Sequence, residues 1–125
     1  MIDLSGKVAV VTGSSRGIGR AIAQIYAEAG ASVVVSSRKA DACEEVAASL
    51  RAAGHKAFAH ACHIGRKEDL QGLVAATQAR FGPIDILVCN AAVNPVYGTM
   101  AELTDEAFDK IMDANVKGTF WLCNM

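Results

Sequence analysis

The 125 residues predict an α/β fold: a doubly wound parallel β-sheet with helices on both faces and strand order 3-2-1-4. Three observations predict it. Short continuous apolar runs recur, as expected of parallel strands buried on both faces. Longer stretches between them repeat their apolar residues with helical period. The two kinds of segment alternate along the chain as β-α-β-α-β-α-β-loop-α, which calls for a parallel sheet joined by right-handed crossovers.

The elements follow in order. Lys7 to Val11 is the first strand, and Ile18, Ala21, Ile22, Ile25, Tyr26 and Ala29 form the stripe of a first helix that Gly30 ends. Ser32 to Ser36 is the second strand. Cys43, Val46, Ala47 and Leu50 face a second helix closed by Gly54. Lys56 to Cys62 reads as a third strand. Leu70, Leu73, Val74, Thr77 and Phe81 mark a third helix, stopped by Gly82-Pro83. Ile84 to Cys89 is the fourth strand, and Asn90 to Met100 is a loop with Asn94-Pro95 and Gly98 as turn signals. Thr104 caps a last helix, Asp105 to about Cys123, with Asp105 and Glu106 in its first turn.

Composition narrows the function classes. Apolar residues make up 52% of the chain, enough for a real core, and the net charge is −1 with both signs scattered. A nucleic-acid surface would show a clustered basic stripe. No apolar run approaches the roughly 18 residues of a membrane span, and the N-terminus lacks a signal-peptide pattern. Neither nucleic acid nor membrane is an expected partner. Cys43, Cys62, Cys89 and Cys123 form no C-x-x-C pair and read as reduced thiols of a cytoplasmic protein. His60, Cys62 and His63 lie close together, but no second ligand pair follows at a zinc-like spacing, so no metal site is expected.

Chemistry concentrates in Thr12-Gly13-Ser14-Ser15-Arg16-Gly17-Ile18-Gly19, between the first strand and the first helix. The first N–H groups of a helix have no intrahelical acceptor, and the helix dipole is positive there, so a phosphate is favoured. Gly13 permits a sharp exit from the strand, Gly17 a close backbone approach to a pyrophosphate, and Gly19 close packing. An ordinary tight turn is the alternative reading. In the order 3-2-1-4 the sheet changes direction between strands 1 and 4. The glycine turn and Cys89-Asn90-Ala91-Ala92 both sit at that crevice.

The end of strand 2 selects among dinucleotides. An acid there usually holds the ribose hydroxyls of NAD. Here it reads Ser36-Ser37-Arg38-Lys39, without a carboxylate. Arg38 and Lys39 add cations, and Arg16 points a third from the glycine turn. Guanidinium forks suit phosphate oxygens, so NADP(H) is expected rather than NAD; the alternative is that Arg38 and Lys39 only solvate a loop or start the second helix. On the last helix Phe108, Ile111, Met112, Thr119 and Leu122 form an apolar stripe, and Asn115 falls on it. A buried, unsatisfied amide costs about 1–3 kcal/mol, so Asn115 either ties the fold together or stands beside an active site.

Thr12-Gly13-x-x-x-Gly17-x-Gly19, Cys89-Asn90-Ala91-Ala92 and Asn115-Val116-x-Gly118 resemble three successive signatures of the classical short-chain dehydrogenases/reductases, over the whole chain and at family-like spacing. Cys62-His63-Ile64-Gly65 and Asn90 to Pro95 look most like the NADPH-dependent carbonyl (retinal) reductases and their bacterial relatives. The resemblance implies a Rossmann-type fold and an oxidoreductase that reduces a carbonyl or oxidises an alcohol with NADP(H). Gly13, Ser14, Ser15, Arg16, Gly17, Ile18 and Gly19 would hold the pyrophosphate and adenosine side. Ser37 stands where NAD-preferring members carry an acid, and Arg38 and Lys39 would serve the 2′-phosphate. His63 and Ile64 would flank adenine, and Asn90, Ala91 and Ala92 would line the cofactor. Asn115 would organise water in a proton relay.

Departures accompany the likeness. Cys89 and Ala92 replace the usual ends of Asn-Asn-Ala-Gly, and His63 replaces a common Asp. The family's Tyr-x-x-x-Lys is absent: Tyr26 and Tyr97 are followed four residues on by Gly30 and Ala101. Strand 4 is also a bare apolar edge, which predicts association or a missing neighbour. Residues 1–125 are therefore expected to be the cofactor-binding half of a single domain whose C-terminal catalytic half is absent, inactive alone and a homodimer or homotetramer when full length. Two other readings are a dinucleotide-binding module without catalysis and an NAD-dependent relative acting on a 3-oxoacyl thioester or a sugar.

Overall fold

The computed structural model describes residues 2–90, 105–106, 109 and 118–125. Its described elements are β1 (Val8–Thr12), α1 (Gly17–Glu28), β2 (Ser32–Ser36), α2 (Ala40–Ala52), β3 (Ala57–Ala59), α3 (Lys67–Phe81), β4 (Ile86–Val88) and α4 (Gly118–Cys123). The sheet is parallel throughout, in the order β3-β2-β1-β4. This is the expected doubly wound order, with the switch between β1 and β4.

Strand side chains alternate between faces, and the two faces carry separate cores. Ala9, Val11, Val33, Val35 and Ala57 pack against Ala23 and Ala27 of α1 and Cys43, Val46, Ala47 and Leu50 of α2. Val10, Val34 and Phe58 pack on the other face against Leu70 and Leu73 of α3 and Leu122 of α4. Central β1 and β2 have no polar residue inside Val8–Val11 or Val33–Val35, and these positions are buried to 6% exposure or less. Trp121 is part of the second core, with the Lys67 ammonium 5.7 Å from its ring centroid. Phe120, its neighbour, is exposed.

Three sequence expectations need correction. The buried face of α1 is Gly19, Ala23 and Ala27, not the stripe from Ile18 to Ala29. Ile18 and Ile25 are 74% and 61% exposed, while Ile22 and Tyr26 are only partly buried. Small residues spaced four apart let the helix lie close to the sheet; Ile22 and Tyr26 pack at its margin, and Ile18 and Ile25 fall outside the contact. The third strand is Ala57–Ala59 rather than 56–62. Its continuation still follows β2, with His60 N–H donating to the Val35 carbonyl (3.0 Å) and Cys62 N–H to Ser37 (2.8 Å), but β2 itself stops at Ser36. The fourth strand is Ile86–Val88 rather than 84–89. Just before it, Asp85 donates its N–H to the Val8 carbonyl (2.9 Å), and its carboxylate accepts from Val8 N–H (2.9 Å), fixing the register of β4 on β1.

The last predicted helix lies largely outside the described residues. Asp105, Glu106 and Asp109 are helical, and Leu122 is buried as expected. Phe108, Ile111, Met112 and Asn115 are outside the described set. Among the described residues no helix is long and apolar enough to cross a membrane.

Candidate functional site

At the C-terminal ends of the strands the chain forms a cavity of about 460 Å³. Three segments line it in sheet order: the glycine turn after β1, the Ser37-Arg38-Lys39 stretch after β2, and Cys62-His63-Ile64 after β3. Asn90 closes it on the β4 side. The crossovers thus bring together residues up to 78 positions apart.

The glycine turn gets its shape from two residues with positive φ, Gly13 (+64°) and Gly17 (+61°). L side chains rarely adopt this conformation. A Cβ on Gly17 would meet nothing within 4 Å, so this backbone is open to a ligand. Gly19 differs: a Cβ there would lie 2.2 Å from the Gly13 carbonyl oxygen and 2.6 Å from Asn90 Nδ2. The bare helix start lets the turn fold back on it. Arg16 is the N-cap residue of α1, in extended conformation, and its side chain makes no capping hydrogen bond. The guanidinium is exposed at the cavity. The first N–H groups of α1 lack intrahelical acceptors and adjoin the same space.

Ser14 and Ser36 hold the turn to the sheet. The fully buried Ser14 hydroxyl donates to the Val11 carbonyl (2.6 Å) and accepts from Ser36 N–H (2.9 Å), while Ser14 N–H donates to the Ser36 carbonyl (3.0 Å). Thr12 and Asn90 do the same across the switch point. The Thr12 hydroxyl donates to the Val88 carbonyl (3.2 Å) and accepts from Asn90 N–H (3.0 Å), and Asn90 Nδ2 donates to the Gly13 carbonyl (3.1 Å).

After β2, Ser37 Oγ accepts from Lys39 N–H (3.2 Å) and lies 3.0 Å from Cys43 Sγ. This small turn leaves Arg38 and Lys39 exposed along the cavity wall. After β3, His63 N–H donates to Asp69 (2.9 Å), and His63 Nδ1 accepts from Gly65 N–H (2.9 Å). Partial burial first, then Arg38 and Arg66, hold the His63 pKa below its usual value. The buried Cys62 thiol is pushed up to about 12, by burial first and then by the Asp69 carboxylate, so it stays a neutral thiol at the cavity floor.

Of the expected cofactor residues, Gly13, Ser15, Arg16, Gly17, Ser37, Arg38, Lys39, His63, Ile64 and Asn90 line this cavity. Ser14, Ile18 and Gly19 do not: Ser14 is used up inside the sheet, Ile18 turns outward, and Gly19 lies beneath the turn. Ala91, Ala92 and Asn115 lie outside the described residues. Thr12, Ser36, Ala42 and Cys62 also line the cavity, although the sequence did not assign them to the cofactor. Thr12 and Ser36 are the last residues of β1 and β2, the position at which doubly wound sheets bind ligands.

The chain is similar to known proteins along its whole length. The family model described as short chain dehydrogenase matches residues 7–125. Dehydrogenase/reductase SDR family member 4 of Oryctolagus cuniculus is 49% identical over 114 residues, which cover 91% of this chain and 44% of the relative. A crystal structure of a short-chain type dehydrogenase/reductase from Mycobacterium marinum superposes with a TM-score of 0.90 at 40% identity, covering 98% of this chain and 49% of that one. A metagenomic short-chain oxidoreductase crystallised in complex with NADP also gives 0.90, at 36% identity, over 97% of this chain and 55% of that one. The chain thus spans about half the length of the proteins it resembles.

Proposed function

We propose that this chain, which belongs to the short chain dehydrogenase family, supplies the NADP(H)-binding half of an oxidoreductase that exchanges hydride between the nicotinamide and a carbonyl or alcohol. One observation carries the choice of dinucleotide. Arg16, Arg38 and Lys39 line one cavity, and no carboxylate lines it among the described residues. A 2′-phosphate would meet three cations there, one of them a guanidinium that caps nothing. NADP in the similar metagenomic enzyme supports this reading.

The residues fit such a ligand. The glycine turn offers open backbone at Gly17 and the unfilled N–H groups of α1 to a pyrophosphate. Ser37 takes up little room where a carboxylate would repel a phosphate. Asn115 belongs to this proposal as the group that positions water near the reacting carbonyl. The reading also includes a cytoplasmic location and a homodimer or homotetramer.

The test is a titration of the protein, expressed from its complete gene, with NADPH and NADH. NADPH should bind more tightly, and Arg16→Ala and Arg38→Ala should each lose roughly tenfold in NADPH affinity, a charge-assisted bond's worth, with little change for NADH. An unchanged preference in both variants would overturn the assignment.

A further inference from the structure

We infer that Cys43 is a positioning residue for dinucleotide selectivity: from inside the core, its thiol holds the Ser37-Arg38-Lys39 turn in the shape that carries Arg38 and Lys39 along the cavity. This rests on the dinucleotide reading above.

The turn is short and tied at both ends. It fills the gap between the end of β2 at Ser36 and the start of α2 at Ala40, and its three residues all line the cavity. The Ser37 carbonyl accepts from Cys62 N–H (2.8 Å), which joins the turn to the chain after β3. Ser37 Oγ accepts from Lys39 N–H (3.2 Å), which closes the turn on itself. Arg38 lies between these two residues, so its backbone goes where they go.

Cys43 grips both of them. Its N–H donates to the Lys39 carbonyl (3.0 Å), the bond with which α2 begins. Its Sγ lies 3.0 Å from Ser37 Oγ, within hydrogen-bonding distance, and 3.9 Å from the Ser37 carbonyl. Any residue but proline would supply the first bond. The second belongs to the side chain. Cys43 is fully buried in the first core with Val46, Ala47 and Leu50 of its own helix. A thiol so placed acts on a ligand only through the turn.

The consequence falls on one dinucleotide more than the other. Without the thiol, the Ser37 hydroxyl is freer to rotate, and Lys39 N–H shares its acceptor with other rotamers. Arg38 and Lys39 then range over more of the cavity wall. Ordering them becomes part of binding and opposes it. NADPH bears that loss because its 2′-phosphate needs these cations; NADH carries no such phosphate. Thiols are weak hydrogen-bonding groups, so the effect is modest and specific.

The experiment measures dissociation constants for NADPH and NADH on the complete protein, as wild type, Cys43→Ala, Cys43→Ser, Ser37→Ala and the Ser37→Ala/Cys43→Ala double variant. Urea midpoints verify that each is folded. Cys43→Ala should lower the preference for NADPH roughly threefold, the scale of a weak hydrogen bond. Cys43→Ser keeps a donor and acceptor facing Ser37 and should stay within about 1.5-fold of wild type. Added to Ser37→Ala, Cys43→Ala should change the preference no further, because the thiol acts through that hydroxyl. General loosening of α2 would weaken both dinucleotides alike and leave the preference unmoved. An unmoved preference in Cys43→Ala overturns the inference, as does an equal fall in Cys43→Ser or a further fall in the double variant. The dinucleotide reading survives each of these. A wild type that does not prefer NADPH removes that reading and this inference together.

Discussion

Gly19 leaves no room for a side chain at the turn. Its missing side chain makes room for the Gly13 carbonyl, which in turn accepts from Asn90. An alanine there would stand 2.2 Å from backbone oxygen, so the turn must shift and the Asn90 bond must stretch. Gly19→Ala should cost about 1–3 kcal/mol of stability, the range for forced overpacking, and weaken NADPH binding with it. Urea denaturation checks the first effect; a midpoint indistinguishable from wild type would contradict the tight contact. The sequence pointed to Gly19 as a place of close packing. It could not say that the partner is the turn's own carbonyl, because that contact depends on where Asn90 reaches after a crossover of more than seventy residues.

Among the elements, α1 teaches most. Its isoleucines make the stronger apolar pattern, but its alanines make the contact. Periodicity weights large side chains, whereas a helix lying close on a sheet of valines selects small ones. Ala27→Leu should therefore destabilise by about 1–3 kcal/mol, while Ile25→Lys should change stability by no more than about 0.5 kcal/mol. Thermal melts of the pair give the answer; the reverse order would restore the isoleucine face. The faces of α2 and α3 were legible because their buried positions are also their largest: Leu50 on one, Leu70 and Leu73 on the other. Strand ends were less legible. Strand-like residues such as Cys89 and Cys62 lie past Val88 and Ala59, but whether the ladder goes on depends on a neighbouring strand that is distant in sequence.

For the whole molecule, alkaline pH tests the packing of the second core. The Cys62 thiol titrates near 9 when unfolded and is pushed up to about 12 in the folded chain. Below pH 9 both states keep the proton, and this group's contribution is complete. Between those values the unfolded chain releases it and the folded chain does not. Stability should therefore fall as pH rises through this window, by at most about 1.4 kcal/mol per pH unit. Denaturation midpoints at successive pH values should fall less steeply in Cys62→Ala. Equal slopes would place the alkaline loss in other groups. The sheet order and the glycine cradle were legible at this scale, because alternating periods and crossover handedness leave few arrangements. The lining roles of Thr12 and Ser36 come from standing last on their strands, which neither residue type announces in advance.

The Thr12 hydroxyl and the Asn90 amide, with three bonds across the gap between β1 and β4, also have a thermodynamic meaning. They set the width of the crevice while the chain folds. The loss of backbone freedom there belongs to the folding equilibrium and is absent from the binding one. A ligand bound there would meet a β1–β4 wall that folding has already set, and the ordering of these two segments would not be charged to its binding.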